Sequence, residues 1–547
     1  MKTYTKATEL KAEIARLKSE YEAELAKLRK ELEWMHKENE RKDDLISNYI
    51  AQIKLAQHRR FGSPCERSEI PEQLGLFNEP EVHAEIDVES VQTETVTYKR
   101  KKRKGKRREF YENLPVRQEV HELGAEEQVC SICGGDLHEC GREVVRSEVE
   151  HIPASVTKVE HVEVVYGCRG CEKNPDMQTR TVVKPGVPAP VIPNSGIASP
   201  SLVSYVISNK YVLALPLNRQ SEEFKRLGIE IPKQNLANWV IYASRVWLAI
   251  IWEMLKEELL TNEVIHGDES THHVICEDGR KAKQKSYMWG YFTGRDSPRQ
   301  VVLFEYQETR AGRHPLNFLE GWSGKLHVDA YAGYHKLEAQ GVTLSYCWSH
   351  VRRKYFEALK SLPNDKRNNS LASVGLRYCD QLFALERYYN DECFSCEQRE
   401  RWRELLSIPM AEEFFAWAES VYDGNSRDKM LGKAVSYMLN GRRRLMNAFN
   451  DGRLEISNNR AERGFIEYAI GRNNWKFSYS PKGAKASAVA YSLVETAQAN
   501  GLVPYLYLKF LFETLPNIPK ERYCECLPWH PTVKQLCAIP VKEMPSA

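Results

Sequence analysis

Apolar residues open the chain at three- and four-residue steps: Leu10, Ile14, Leu17, Tyr21, Leu25, Leu28, Leu32 and Met35, then Ile46, Ile50 and Ile53. Charged residues fill the other positions, and neither Pro nor Gly interrupts residues 6–58. The spacing predicts one long coiled-coil helix and, through it, a homo-oligomer. Two four-residue steps meet at Tyr21 and predict a stutter that locally unwinds the supercoil. The pattern then lapses. Residues 62–108 hold few apolar positions but include Gly62, Pro64, Pro71 and Pro80, which predicts a linker. Residues 109–182 alternate in period two, as in Lys158-Val159-Glu160-His161-Val162-Glu163-Val164, and predict short strands. Pro185, Pro188, Pro190 and Pro193 make a stiff connector.

Helical spacing returns over residues 199–245 as three helices. Ser199-Pro200 opens the first, Gly228 stops the second from the C′ position, and Pro232 starts the third. A tight turn between two short helices has the shape of a helix-turn-helix, with Lys233, Gln234 and Asn235 leading the helix that would meet DNA. A plain structural hairpin fits the same pattern equally well. From residue 262 the texture becomes α/β, with strands expected at 263–267, 286–293, 300–306, 324–329 and 343–347. A helix-rich stretch without an evident strand follows, over about 356–450. Two more helices are expected at 459–471 and 484–500, each ended by a glycine.

At 547 residues the chain exceeds what one core holds, so several domains are expected. The net charge of +3 points to no partner, but the charge is uneven: residues 79–94 are acidic, and nine of the ten residues at 99–108, KRKKRKGKRR, are basic. Such a block is ordinarily a solvated arm. One this dense, with Lys101, Lys102 and Arg103 at its centre, fits the phosphates of double-stranded DNA. The start, MKTYTKATELKAEI, carries no apolar signal core, and the most apolar helical stretch, Val246 to Leu255, is too short to span a bilayer. A soluble, cytoplasmic, nucleoid-associated protein is expected, without a membrane partner. Fourteen cysteines in a reducing compartment serve more often as metal ligands than as disulfides. Cys130-Ser131-Ile132-Cys133 and Cys168-Arg169-Gly170-Cys171 are two knuckles that together complete a tetrahedral Zn2+ site. Cys393, Cys396, Cys524 and Cys526 read as free or buried thiols.

Three acidic stations change the picture most: Ile265-His266-Gly267-Asp268-Glu269, Leu326-His327-Val328-Asp329-Ala330 and Asn458-Asn459-Arg460-Ala461-Glu462-Arg463. The first two end a strand-like run on an Asp, and the third puts a Glu in the first turn of a helix. Each has an ordinary explanation: a cap for Asp268, a turn for Asp329, a capping box from Asn459 for Glu462. Taken in order, they would meet at one edge of a small mixed sheet. Converging carboxylates there can hold two divalent metal ions for phosphodiester chemistry. Glu269 is expected to point away from Asp268, and Glu455 to precede the helix. Basic residues cluster nearby: His350, Arg352, Arg353 and Lys354, then Arg463, Arg472, Lys476 and Lys482, interleaved with Trp475 and Phe477. A cationic, aromatic surface of this kind suits a nucleic-acid backbone.

These stretches carry a resemblance. His266-Gly267-Asp268-Glu269-Ser270, Val328-Asp329-Ala330-Tyr331-Ala332-Gly333-Tyr334, Cys347-Trp348-Ser349-His350-Val351-Arg352-Arg353, the run from Asp451 to Asn459 leading into Ala461-Glu462-Arg463, Gly471-Arg472-Asn473-Asn474-Trp475 and Leu527-Pro528-Trp529 are similar to motifs of insertion-sequence 66 transposases. Ser270 stands where that family more often has Thr, and Ser457 where it often has Asp. The resemblance implies a multidomain α/β protein with a ribonuclease-H-like mixed-sheet core, in which Asp268, Asp329 and Glu462 are catalytic and hold Mg2+ (or Mn2+). The expected organisation is a coiled coil at 1–61, a linker with the basic arm at 62–108, a zinc-binding β module at 109–185 and a helix-turn-helix-like DNA-binding segment at 186–250. The core would occupy 251–360 and 451–500, split by a helical insertion at 361–450, with a tail at 501–547. The expected activity is transposition: binding the ends of the element, cutting strands and joining 3′ ends to target DNA, with accessory proteins of the same element as further partners. A non-catalytic DNA-binding regulator and a nuclease that cuts without joining are the alternatives.

Overall fold

The structure is a computed structural model that describes residues 155–167, 182–183, 186–193, 195–422 and 429–540. The expected coiled coil, the basic arm with Lys101, Lys102 and Arg103, and the knuckle cysteines Cys130, Cys133, Cys168 and Cys171 lie outside these residues. Tyr166–Gly167 pairs antiparallel with Val182–Val183. Residues 155–165, expected within the strand-like region, form no ladder among the described residues.

Three helices follow as the punctuation predicts: α1 (Pro200–Tyr211), α2 (Leu217–Arg226) and α3 (Lys233–Ala243). Ser199 caps α1 by accepting from the Leu202 N–H, and Gly228 takes φ +85° just past α2, where a side chain would be strained. A π-helical turn at Ser244–Leu248 leads into α4 (Ala249–Leu260). Among the described residues no helix is long and apolar enough to cross a membrane.

The centre is a five-stranded mixed sheet of β1 (Val264–His273), β2 (Lys285–Thr293), β3 (Val302–Gln307), β4 (Lys325–Val328) and β5 (Thr343–Tyr346), in the order β3-β2-β1-β4-β5. The pairs β1–β2 and β2–β3 are antiparallel; β1–β4 and β4–β5 are parallel. One strand departs from expectation. β1 continues through the polar run Asp268–His273 because β2 pairs with it as far as His273 opposite Lys285.

Beyond β5 lie α5 (Trp348–Lys360), α6 (Leu371–Asp391), α7 (Ile408–Val421) and α8 (Met430–Met446). Trp348 and Tyr355 of α5 pack on Phe414, and Trp348 also on Phe415 and Phe449, which seats the helical insertion beside the sheet. The single helix expected at 459–471 is two, α9 (Asn459–Gly464) and α10 (Ile466–Trp475), broken at Phe465. Glycines explain the break: a Cβ on Gly290 would lie 2.7 Å from the Phe465 ring, and one on Gly464 would collide with Phe292. Without those side chains α9 settles directly on β2. Next come α11 (Pro481–Ala499), ended near Gly501 as expected, and α12 (Pro504–Thr514). One apolar cluster joins α1–α4, the sheet, the insertion and α10–α12.

Candidate active site

The parallel ladder between β1 and β4 ends at His266 opposite His327. Two residues on, the two strands offer Asp268, which is half-buried, and Asp329, which follows the last residue of β4. Glu462 in α9 is buried, at 6% exposure. Asn458 ties these elements together. Its Nδ2 donates to the Gly267 carbonyl at 2.9 Å, its Oδ1 lies 3.0 Å from His266 Nδ1, and its backbone N–H meets Cys347 Sγ at 3.0 Å. Its carbonyl accepts from the Glu462 N–H at 3.1 Å, and the Cys347 N–H bonds the Val328 carbonyl. One residue therefore touches the strand before Asp268, the junction beside Asp329 and the first turn carrying Glu462. The capping box expected from Asn459 does not form. Asn458 is the N-cap, and its side chain is committed to β1 rather than to the helix.

Each Asp uses Oδ1 locally: Asp268 accepts from the Glu269 N–H at 2.8 Å, and Asp329 from the Tyr331 N–H at 2.9 Å. Glu269 bonds the Tyr334 hydroxyl at 2.7 Å and pairs with Arg310, whose guanidinium also lies 3.6 Å from Asp329 and 3.9 Å from the centre of the Tyr331 ring. Arg353 lies 3.3 Å from Glu462. Desolvation, then the charges of Glu269, Asp329 and Glu462, pushes the Asp268 carboxyl well above the usual carboxylate range. Burial and the Asp329 charge push Glu269 up to about 7 against the opposing pull of Arg310 and Tyr334. Burial also raises Asp329, countered by the Tyr331 N–H and Arg310. The site is thus a crowd of carboxylates that repel one another, with Arg310 and Arg353 as counter-charges.

Its oxygen donors match hard divalent ions such as Mg2+ and Mn2+ in type, and the mutual repulsion is what such an ion offsets. The match is one of chemistry rather than spacing: among the described residues no three of His, Cys, Asp and Glu are grouped closely enough to hold an ion. Glu455, the rival third carboxylate, is engaged elsewhere. It lies 3.4 Å from His266 Nε2 and 2.9 Å from Arg460 Nε. Burial opposes its ionisation, but His266 and Arg460 prevail and hold it below the usual range.

The expected DNA-contacting residues divide. Lys233, Gln234 and Asn235 are exposed at the start of α3, as are Arg463 on α9 and Lys476 after α10. Arg352 corrects the expectation: it is buried, with its Nε 2.6 Å from Asp380 of α6. Arg353 faces Glu462. Arg472 bonds Ser270 Oγ at 2.8 Å and the Thr271 carbonyl, so it clamps α10 to β1. Trp475 is half-buried beneath Lys210, 3.6 Å from its ring centre. Cys393, Cys396, Cys524 and Cys526 are free thiols. Sequence reasoning missed Asn458 as a tether, Glu269 as a member of the charge cluster, and Arg310, whose loop carries no pattern.

Comparison with known proteins gives the class: a DNA transposase. More particularly, the chain belongs to the IS66 transposase family, whose model, described as "Transposase IS66 family", matches residues 195–486, more than half of its length. The IS66 C-terminal element matches 492–529, and the model "Transposase C of IS166 homeodomain" matches 48–118. The zinc-finger binding domain of transposase IS66 matches 127–172, which takes in all four knuckle cysteines and supports Zn2+ as a constituent. Relatives in Sinorhizobium fredii include uncharacterized protein y4hP, 29% identical over 420 residues (73% of each chain), and uncharacterized protein y4qI, 25% identical over 509 residues (89% of each). Among solved structures, the Drosophila P element transposase strand transfer complex aligns with 55% of this chain and 94% of its own at 13% identity and a TM-score of 0.31, a likeness too loose to bear on the site.

Proposed function

We propose that Asp268, Asp329 and Glu462 are the metal-holding catalytic carboxylates of this transposase, in a ribonuclease-H-like core that cuts at the ends of its element and joins the 3′ ends to target DNA. One observation carries the reading: two aspartates stand two residues beyond the end of the parallel ladder between β1 and β4, and Asn458 fastens the helix of Glu462 to the residue before Asp268. The strand order β3-β2-β1-β4-β5, an antiparallel meander extended by two parallel strands, supports the fold assignment. Divalent ions bound there supply activated water and a stabilised leaving oxygen in phosphodiester cleavage. The chain's own part is to hold the three carboxylates in register, with Glu269 adding negative charge. Arg310 and Arg353 supply the counter-charge that a bound metal would otherwise supply. Arg463 and Lys476 bind the backbone beside the carboxylates, and Lys233, Gln234 and Asn235 bind it through α3. Cys130, Cys133, Cys168 and Cys171 hold Zn2+. The coiled coil pairs protomers so that both element ends are held together.

The test is Mg2+-dependent cleavage of duplexes bearing the element's ends. Asp268→Ala, Asp329→Ala and Glu462→Ala should each abolish cleavage and joining while DNA binding persists; Glu455→Ala should only weaken them. Full cleavage by any of the first three overturns the assignment, and binding without cleavage by the unaltered protein favours the regulator.

A further inference from the structure

The segment after α10 has a construction that the carboxylate site does not use. Lys476 takes φ +66° and turns the chain out of the helix. The next residues lie beside the end of β1, bridged to it at Ser478: the Ser478 N–H bonds the His273 carbonyl at 2.9 Å, and the Ile275 and Cys276 N–H groups bond the Ser478 and Tyr479 carbonyls at 3.0 and 2.9 Å. Ser478 points inward, its Oγ 2.9 Å from His272 Nε2, and the rings of Phe477 and Tyr479 on either side of it are exposed. They are 47% and 71% exposed. Two large rings thus stand in water on a backbone pinned by three hydrogen bonds.

Their surroundings say what covers them. Lys476 and Lys482 flank the pair and are exposed, as are Lys281 and Lys283 in the loop that follows Cys276 and Lys285 at the start of β2. Aromatic faces among cations suit a nucleic-acid strand, whose bases stack while its phosphates are neutralised. Position agrees. Val274, paired with Ser478, lies six residues beyond Asp268 on the same run of chain. That is about 20 Å at ~3.3 Å per residue, or roughly six base steps of ~3.4 Å. The Arg472 bonds to Ser270 and Thr271 fix α10, from which the segment springs, to the strand that bears Asp268.

We propose that Phe477 and Tyr479 form a stacking platform for an unpaired base, about six nucleotides from the phosphate held at the carboxylates. The proposal rests on the function proposed above, and its test is a binding measurement made without added Mg2+, so that loss of cleavage and loss of stacking are read separately. The probes are a plain duplex and the same duplex carrying a single-stranded thymidine tail of about six nucleotides, with 2-aminopurine in the tail. The unaltered protein should prefer the tailed duplex and quench the 2-aminopurine. Phe477→Ala with Tyr479→Ala should lower affinity for the tailed duplex by about fivefold or more and abolish quenching. Affinity for the plain duplex should stay within about twofold, because phosphate contacts carry no preference for an unpaired base. The aromatic exchange of Phe477→Tyr with Tyr479→Phe should retain quenching, which guards against a folding defect. Equal loss on both probes, or no loss on either, overturns the proposal. So does a change of mass in light scattering with tailed-duplex affinity unchanged, which would mark the rings as a contact between protein chains. If stacking behaves as stated but Asp268→Ala still cleaves, the carboxylate assignment fails and the platform stands.

Discussion

Asn458→Ala probes the link between packing and chemistry most directly. The side chain is buried and makes two bonds to β1, one with His266 Nδ1 and one to the Gly267 carbonyl. Truncation leaves both groups inside the protein without those bonds. An orphaned buried polar group costs about 1–3 kcal/mol, so the pair should cost roughly 2–6 kcal/mol. A domain stable by ~5–15 kcal/mol survives that loss at moderate temperature. The larger effect falls on cleavage. The backbone bond from the Glu462 N–H to the Asn458 carbonyl remains, so α9 stays a helix, but its side-chain tether to the strand beside Asp268 is gone. A displacement of about 1 Å costs on the order of a hundredfold in rate. Urea midpoints report the stability term, and Mg2+-dependent cleavage, measured where circular dichroism shows the variant folded, reports the positional term. Tyr211→Phe is the control. It deletes the buried bond to Ser487, 3.0 Å long and outside the Asn458 network, for about 1 kcal/mol, and should leave cleavage unchanged. If Asn458→Ala loses the stability but cuts at nearly the normal rate, the tether has no part in aligning Glu462.

Three further outcomes follow from the same geometry. Arg310→Ala removes the counter-charge of Glu269 and Asp329, so melting should fall without metal and the upward shift on adding Mg2+ should exceed that of the unaltered protein; an equal or smaller shift refutes the counter-charge role. Gly464→Ala drives a methyl group into Phe292, and about 1–3 kcal/mol of overpacking should appear in urea midpoints together with slower cleavage, both partly relieved by Phe292→Leu; no effect would mean that α9 can lift freely. Burial works against ionisation of Asp451, but bonds from Arg453 and Lys325 outweigh it and hold the carboxyl below its usual value. Its stabilising contribution is therefore complete above the unfolded value near ~4 and is lost as pH falls below it, so Asp451→Asn should cost about 2 kcal/mol at neutral pH and progressively less in acid. A pH-independent difference would refute that sign.

The sheet was legible because strand and turn chemistry repeat on a short scale: period-two or apolar runs bounded by polar turns identified all five strands within about three residues at most boundaries. What was misjudged depends on partners distant in sequence. The run Asp268–His273 looks like a loop by composition and is a strand only because β2 supplies Met288 and Trp289 on the other side of the ladder. The break at Phe465 pairs a local signal, Gly464 at the end of α9, with a distant one, the Phe292 ring that leaves no room for a Cβ there. Arg352 and Arg353 are neighbours on α5 with the same chemistry, yet Asp380 of α6 draws one inward while the other faces Glu462. The three proposed carboxylates were named from their motifs alone, whereas Arg310 and Asn458 acquire meaning only when the chain is closed.

Closure also gives the helical insertion a part in the site. Arg403, between α6 and α7, is fully buried and grips Glu386 with two bonds of 2.6 and 2.7 Å. Its remaining donors reach the carbonyls of Ala448, Asp451 and Leu454 at 3.2, 2.7 and 2.8 Å. Those three carbonyls belong to the segment that leads from α8 to Asn458 and Glu462. A guanidinium without its carboxylate in this position would be an uncompensated buried charge, costing about 3–5 kcal/mol. The pair therefore stays intact, and with it the path of the segment. The position of Glu462, the proposed third carboxylate, is set from both ends: Arg403 of the insertion fixes the approach, and Asn458 fixes the arrival against β1. An insertion that merely decorated the surface would have no need to bury an ion pair against the backbone of the loop that leads to Asn458 and Glu462.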